Sequence, residues 1–113
     1  MSDRRMRPIH IYNYTKGGYF DPKGCVLEVA KVMTDGKIER TGGSIEVGAV
    51  MGYEVPFHIK AILIRGRDNV IALPAKLTPS QNRWTRPIDL YVTWSNDRYG
   101  FEISGQRPRG AIN

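Results

Sequence analysis

Along the chain, apolar and polar residues alternate with a period of two far more often than they follow a helical spacing. The longest such run is Ile45, Val47, Ala49, Met51, Tyr53, Val55 and Phe57, with Ser44, Glu46, Gly48 and Glu54 among the positions between. Alternation of this kind puts one side of a strand on a core and the other in solvent. Gly48 or Gly52 is a natural place for that strand to bend. Phe57 to Ile64 forms a second β-rich run. It ends in Arg65-Gly66-Arg67-Asp68-Asn69, whose Gly and Asx residues suit a turn. Asn69 to Leu73 follows as a short strand stopped by Pro74.

Ile9 to Tyr14 and Cys25 to Met33 are strand candidates upstream. Thr34-Asp35-Gly36-Lys37 then predicts a two-residue hairpin turn. Downstream, Ile88 to Trp94 and Tyr99 to Ile103 flank Ser95-Asn96-Asp97-Arg98 as another hairpin. Only Thr78-Pro79-Ser80-Gln81 offers a helix start, and Pro87 prevents a long continuation. The pattern predicts six or seven strands. The expected fold is mainly β: a small single-domain antiparallel sheet or partly open barrel with little helix. Residues 1–8 read as a flexible basic arm, 9–103 as the domain, and 104–113 as a flexible basic tail.

A length of 113 residues fits one domain. Lys and Arg number 17 against 11 Asp and Glu, a net charge of +6. That excess points to a polyanion or an acidic protein surface as partner. From Val55 onward nine basic residues face four acidic ones, so the imbalance is concentrated in the second half. The single Cys25 cannot form an internal disulfide and sits in an apolar run, which predicts an inert buried thiol in a reducing, cytoplasmic setting. No apolar stretch approaches a membrane span, and no signal-peptide core follows the basic start.

His10 and His58 are far apart in sequence and, with one cysteine, make a poor zinc set. The carboxylates show no telling pair, and no phosphate-loop or dinucleotide pattern occurs. The expectation is a non-enzymatic protein with no metal and no cofactor.

The aromatics carry the sharper reading. Tyr12, Tyr14, Tyr19 and Phe20 surround Lys16 and Lys23. Trp84 lies between Arg83 and Arg86. Tyr91, Trp94, Tyr99 and Phe101 decorate the last hairpin beside Arg98. Bases stack on exposed aromatics while Lys and Arg hold phosphates, so this interleaving suits single-stranded DNA or RNA with little sequence preference. The expected contact set is Lys60, Arg65, Arg67, Lys76, Arg83, Arg86 and Arg98 for phosphates, with Trp84 and Trp94 for bases. Taken singly, each aromatic fits a strand core better than a base-stacking role. The combination of a sheet, the +6 charge and two basic termini carries the nucleic-acid reading. The competing reading is a small protein-interaction module or inhibitor, encoded by a mobile element, that docks its basic face on an acidic or nucleic-acid-binding target.

One segment carries a family resemblance. Phe57-His58-Ile59-Lys60-Ala61-Ile62, then Asp68-Asn69-Val70-Ile71-Ala72-Leu73-Pro74-Ala75-Lys76-Leu77-Thr78-Pro79, then Pro87-Ile88, resembles the SpoVG septation-regulator family. The resemblance covers about a third of the chain. It implies a small β-sheet protein, often dimeric, that binds nucleic acid, with Lys60 and Lys76 inheriting a role. In that family a basic helix follows the Pro-Ile pair, whereas Asp89 to Ile103 reads here as a hairpin.

Overall fold

The computed structural model describes residues 6–56, 59–74, 88–97 and 99–108. Eight strands run through them: β1 (Met6–Asn13), β2 (Leu27–Val32), β3 (Ile38–Ile45), β4 (Val50–Pro56), β5 (Ala61–Gly66), β6 (Asn69–Pro74), β7 (Ile88–Trp94) and β8 (Phe101–Ser104). No helix occurs among the described residues. The fold is mainly β, as the alternation predicts, and the described strands form two four-stranded sheets, β4-β1-β7-β8 and β3-β2-β5-β6, with no closed barrel. Pairing is antiparallel throughout except between β1 and β7, which run parallel.

One core lies between the sheets. Ile9, Ile11, Val55, Leu90, Val92, Trp94 and Phe101 come from the first sheet. Leu27, Val29, Ile45, Ile62 and Ile64 come from the second. Period-two alternation places them: Ile9 and Ile11 turn inward from β1, so His10 and Tyr12 turn outward.

The long alternating run does not stay one strand. It breaks at the turn Glu46–Ala49, closed by the Ala49 N–H donating to the Glu46 carbonyl at 2.9 Å, with Gly48 at φ +84°. Glycine reaches that left-handed backbone at no steric cost. The break hands the chain from one sheet to the other, so Ile45 and Val55 reach the same core from opposite sides.

Other boundaries also shift. Of the second run, Ile59 and Lys60 lie outside any strand and β5 begins at Ala61, while Phe57 and His58 lie outside the described residues. The supposed arm contributes Met6, Arg7 and Pro8 to β1, paired with Pro56, Val55 and Glu54. Pro8 fits there because β7 joins β1 only from Ile9, so its missing N–H breaks no ladder on that side. The 33–37 hairpin is wider than two residues. Met33 N–H reaches the Lys37 carbonyl at 2.8 Å, and Gly36 takes φ +89°.

Between β5 and β6 a true two-residue turn is made without glycine, by Arg67 (φ 39°) and Asp68 (φ 64°). Left-handed backbone at a bulky residue costs roughly 1–2 kcal/mol. Arg67 is held in it by its side chain: Nε lies 2.6 Å from Asp21 Oδ2, and Nη2 donates to the Gly24 carbonyl at 3.3 Å. Gly66, just before, approaches so closely that a Cβ would lie 3.0 Å from Cys25 Sγ, Leu27 Cδ2 and the Val26 carbonyl.

Candidate functional site

The described members of the expected contact set do not converge. Lys60 is exposed at the entry to β5, where its N–H donates to the Val32 carbonyl at 2.9 Å. Arg65 is exposed at the far end of the same strand, on the solvent side of the second sheet. Arg67 is engaged with Asp21 in the neighbouring turn. Trp94 is a correction: it is only 4% exposed and belongs to the core. An indole enclosed by Phe101 and Tyr99 has no free face for a base. Lys76, Arg83, Trp84, Arg86 and Arg98 lie outside the described residues, as does the helix start at 78–81.

The structure instead assembles aromatics on the outer face of the first sheet. Tyr12 on β1 and Tyr91 on β7 are register partners on the two central strands. Their rings stack with centroids 4.5 Å apart and an interplanar angle of 17°. Tyr14 closes the group, 5.9 Å from Tyr12 edge-on and 5.4 Å from Tyr91. All three are half-buried, so each keeps part of its ring in solvent. Beyond β8, the Arg107 guanidinium lies 5.9 Å from the Tyr14 centroid, a cation–π distance.

Next to the tyrosines, His10 Nδ1 lies 3.3 Å from Asp89 Oδ1. These two are also partners across the parallel pair, and both are about two-fifths exposed. The imidazole rests over Gly52, where a Cβ would come within 3.3 Å of its Cδ2. The Tyr12 hydroxyl keeps its proton beyond the usual phenol range. Desolvation by its neighbours is the main cause, and the negative Asp89 adds to it.

The signal for this face was present but incomplete. His10, Tyr12 and Tyr14 alternate with Ile9 and Ile11, which already sets them opposite the core. Their meeting with Tyr91 depends on a parallel pairing that no local pattern announces.

A second aromatic group closes one end of the core. Tyr19, Phe20 and Tyr99 are exposed and pack edge-on in a chain, 5.1 Å and then 5.9 Å between centroids, leading to Trp94. Among the described residues no three His, Cys, Asp or Glu side chains gather as a metal site, and no helix is long and apolar enough to cross a membrane.

The chain matches no family model, no curated protein and no solved structure.

Cys25 lies under the Arg67 turn, buried and unpaired with another sulfur. Burial pushes its thiol pKa up, and the Asp21 charge adds to that, against smaller opposing effects of Arg67 and Thr15. A thiol raised in the folded state favours folding below its ordinary value of about 8.5, and that favour is lost as pH climbs through the folded value. Stability should therefore decline above about pH 8.5, and Cys25→Ala should flatten the first part of that decline. Native Cys25 should resist iodoacetamide until the protein is unfolded. Denaturant titrations across pH, with and without the substitution, read the first effect. Rapid labelling of the native protein would contradict the second.

Proposed function

We propose that the protein binds single-stranded nucleic acid, non-catalytically, on the outer face of the β4-β1-β7-β8 sheet. The observation that supports this is the Tyr12–Tyr14–Tyr91 group on the two central strands, with the Arg107 guanidinium against it. Sheet surfaces that carry aromatics on central strands offer bases a stacking platform, and a planar guanidinium extends it.

The face is not uniformly basic. Asp89, and Glu102 opposite Thr93 on β8, oppose phosphates there. The cations must come from Arg107 and from residues next to the sheet in sequence: Arg4 and Arg5 before β1, and Arg109 after β8. The overall charge of +6 is consistent with that supply. The SpoVG resemblance points in the same direction.

The test is fluorescence anisotropy with labelled twelve-base dT and rU oligomers over a salt series. Affinity should fall steeply with salt as counterions are released, by about 0.7 log units per log unit of salt for each phosphate held. Replacing Tyr12 and Tyr91 together by Ala should cost about 1–3 kcal/mol per base unstacked and leave the salt slope unchanged. Arg107→Ala should reduce that slope. No binding at low salt, or a double tyrosine variant that binds like wild type, would sink the proposal.

One observation favours the second reading, a protein-interaction module. Tyr19 at 76% exposure and Tyr99 at 52%, with Phe20 between them, form an aromatic surface that needs no nucleic acid to explain it.

A further inference from the structure

The second sheet also presents an open cleft on the side away from the core. Its volume is about 500 Å³, within the range of small-ligand sites. Register fixes what stands there. Ile62 and Ile64 point into the core, so Leu63 and Arg65 point out. Leu63 pairs with Ala30, Ala30 with Arg40, and Arg65 with both Glu28 and Val70. The floor is therefore Ala30 and Leu63. Two exposed apolar side chains border it, Ile38 at 59% and Val70 at 60%.

The opening beside β3 comes from a bulge. Register slips between Glu28 and Ala30, Gly42 takes φ +81°, and Gly42 and Gly43 leave that wall without side chains. Bulges of this kind re-aim side chains at sheet edges and beside binding sites. Thr41 fastens this one by donating its hydroxyl to the Val29 carbonyl at 2.9 Å.

The charges on the cleft are not self-satisfied. Arg40 and Arg65 stand on the strands either side of β2, opposite Ala30 and Glu28, so two strand spacings and a two-residue stagger set their backbones about 12 Å apart. Neither makes an ion pair with Glu28 or with any other described residue. Two guanidinium groups and one carboxylate leave a local charge of +1 over an apolar floor. A single negative charge on an apolar body complements that arrangement. The carboxylate end would lie between the arginines, and the hydrocarbon part on Ala30, Leu63 and Val70.

We propose that the cleft between Arg40 and Arg65 on the outer face of the β3-β2-β5-β6 sheet is a binding site for a small organic monoanion with an apolar tail. Glu28 is its selectivity element, because it repels a second negative charge. The site is on the opposite sheet from the tyrosines and does not depend on the nucleic-acid reading.

The probe is octanoate, titrated into the full chain and followed by calorimetry and by amide shifts of β2, β3 and β5, with 1-octanol as the neutral control. A ligand of this size should bind one-to-one with a Kd of about 0.1–1 mM. Arg40→Gln and Arg65→Gln should each weaken it about five- to tenfold. Glu28→Gln should tighten it about two- to fivefold, a gain that a damaged fold cannot produce. The result that overturns the proposal is no saturable octanoate binding, equal binding of octanol, or arginine variants that bind like wild type. Shifts confined to strands of the other sheet would overturn it equally.

Discussion

Asn13→Ala should lower the free energy of unfolding by about 3–4 kcal/mol, out of roughly 5–15 for a domain of this kind. Asn13 is completely buried at the end of β1 and uses every polar group of its side chain. Nδ2 donates to the Cys25 carbonyl at 2.7 Å and to the Ile45 carbonyl at 2.9 Å. Oδ1 accepts from the Thr15 N–H at 3.2 Å and from the Thr15 hydroxyl at 2.6 Å. Its backbone adds an N–H donated to the Ala49 carbonyl and a carbonyl accepting from Gly48, at 3.0 and 2.9 Å. This one residue thus joins β1, the loop before β2, the end of β3 and the turn into β4. Removing the amide strands the Ile45 carbonyl and the Thr15 N–H in a dry place, each at about 1–3 kcal/mol. Asn13→Asp should be worse at neutral pH. It keeps the acceptor for Thr15 but sets a buried negative charge against two carbonyls. Such a carboxyl has a raised pKa in the fold, so its penalty should shrink on acidification, when the neutral acid can donate. Urea titrations of both variants at neutral and acid pH give the answer. A loss under about 1 kcal/mol for Asn13→Ala would show that water replaces the amide.

Trp94→Ala should cost about 3–5 kcal/mol of stability, the range for emptying a buried aromatic site. Trp94 packs on Phe101 at 4.5 Å and on Tyr99 at 5.1 Å between centroids. Gly18 is fitted against it so tightly that a Cβ there would lie 2.6 Å from the Trp94 Cβ. Gly18→Ala should therefore also destabilise, by about 1–3 kcal/mol, because something must shift. Any Trp94→Ala protein that remains folded in the cold should keep wild-type affinity for oligonucleotides, since the indole is enclosed. A stable Trp94→Ala protein that has lost oligonucleotide binding would reverse both statements.

The strands were legible wherever period-two alternation was long and one-sided. Ile9 and Ile11 against His10 and Tyr12 is the clearest case, and it held residue by residue. Gly48 was legible as a weak point, but the switch of sheets at that point was not. The reason is that Ile45 and Val55 look alike to local pattern whether they share a strand or face each other. β3 was legible only as the return strand that the 34–37 hairpin implies; its extent was not, because Ile38 to Ile45 carries few apolar residues and two glycines and forms by pairing with β2. The tyrosine face was half legible, by alternation on β1 alone. Arg40 and Glu28 were not legible as a pair with Arg65, because cross-strand register decides their meeting. Trp94 failed for a plainer reason: a tryptophan beside charged residues reads the same whether its ring is wet or dry.

The parallel join of β1 to β7 has a consequence for the chain as it is made. Ile9 and Ile88 are partners although about eighty positions separate them. Until Ile88–Trp94 has left the ribosome, β1 can be paired on its β4 side only, and its other edge offers unpaired N–H and C=O groups. An open edge carrying Ile9 and Ile11 is a template for a strand of another molecule. Nascent chains, or fragments ending before Ile88, therefore expose an apolar strand edge that the finished sheet covers, and pairing with β7 closes that edge.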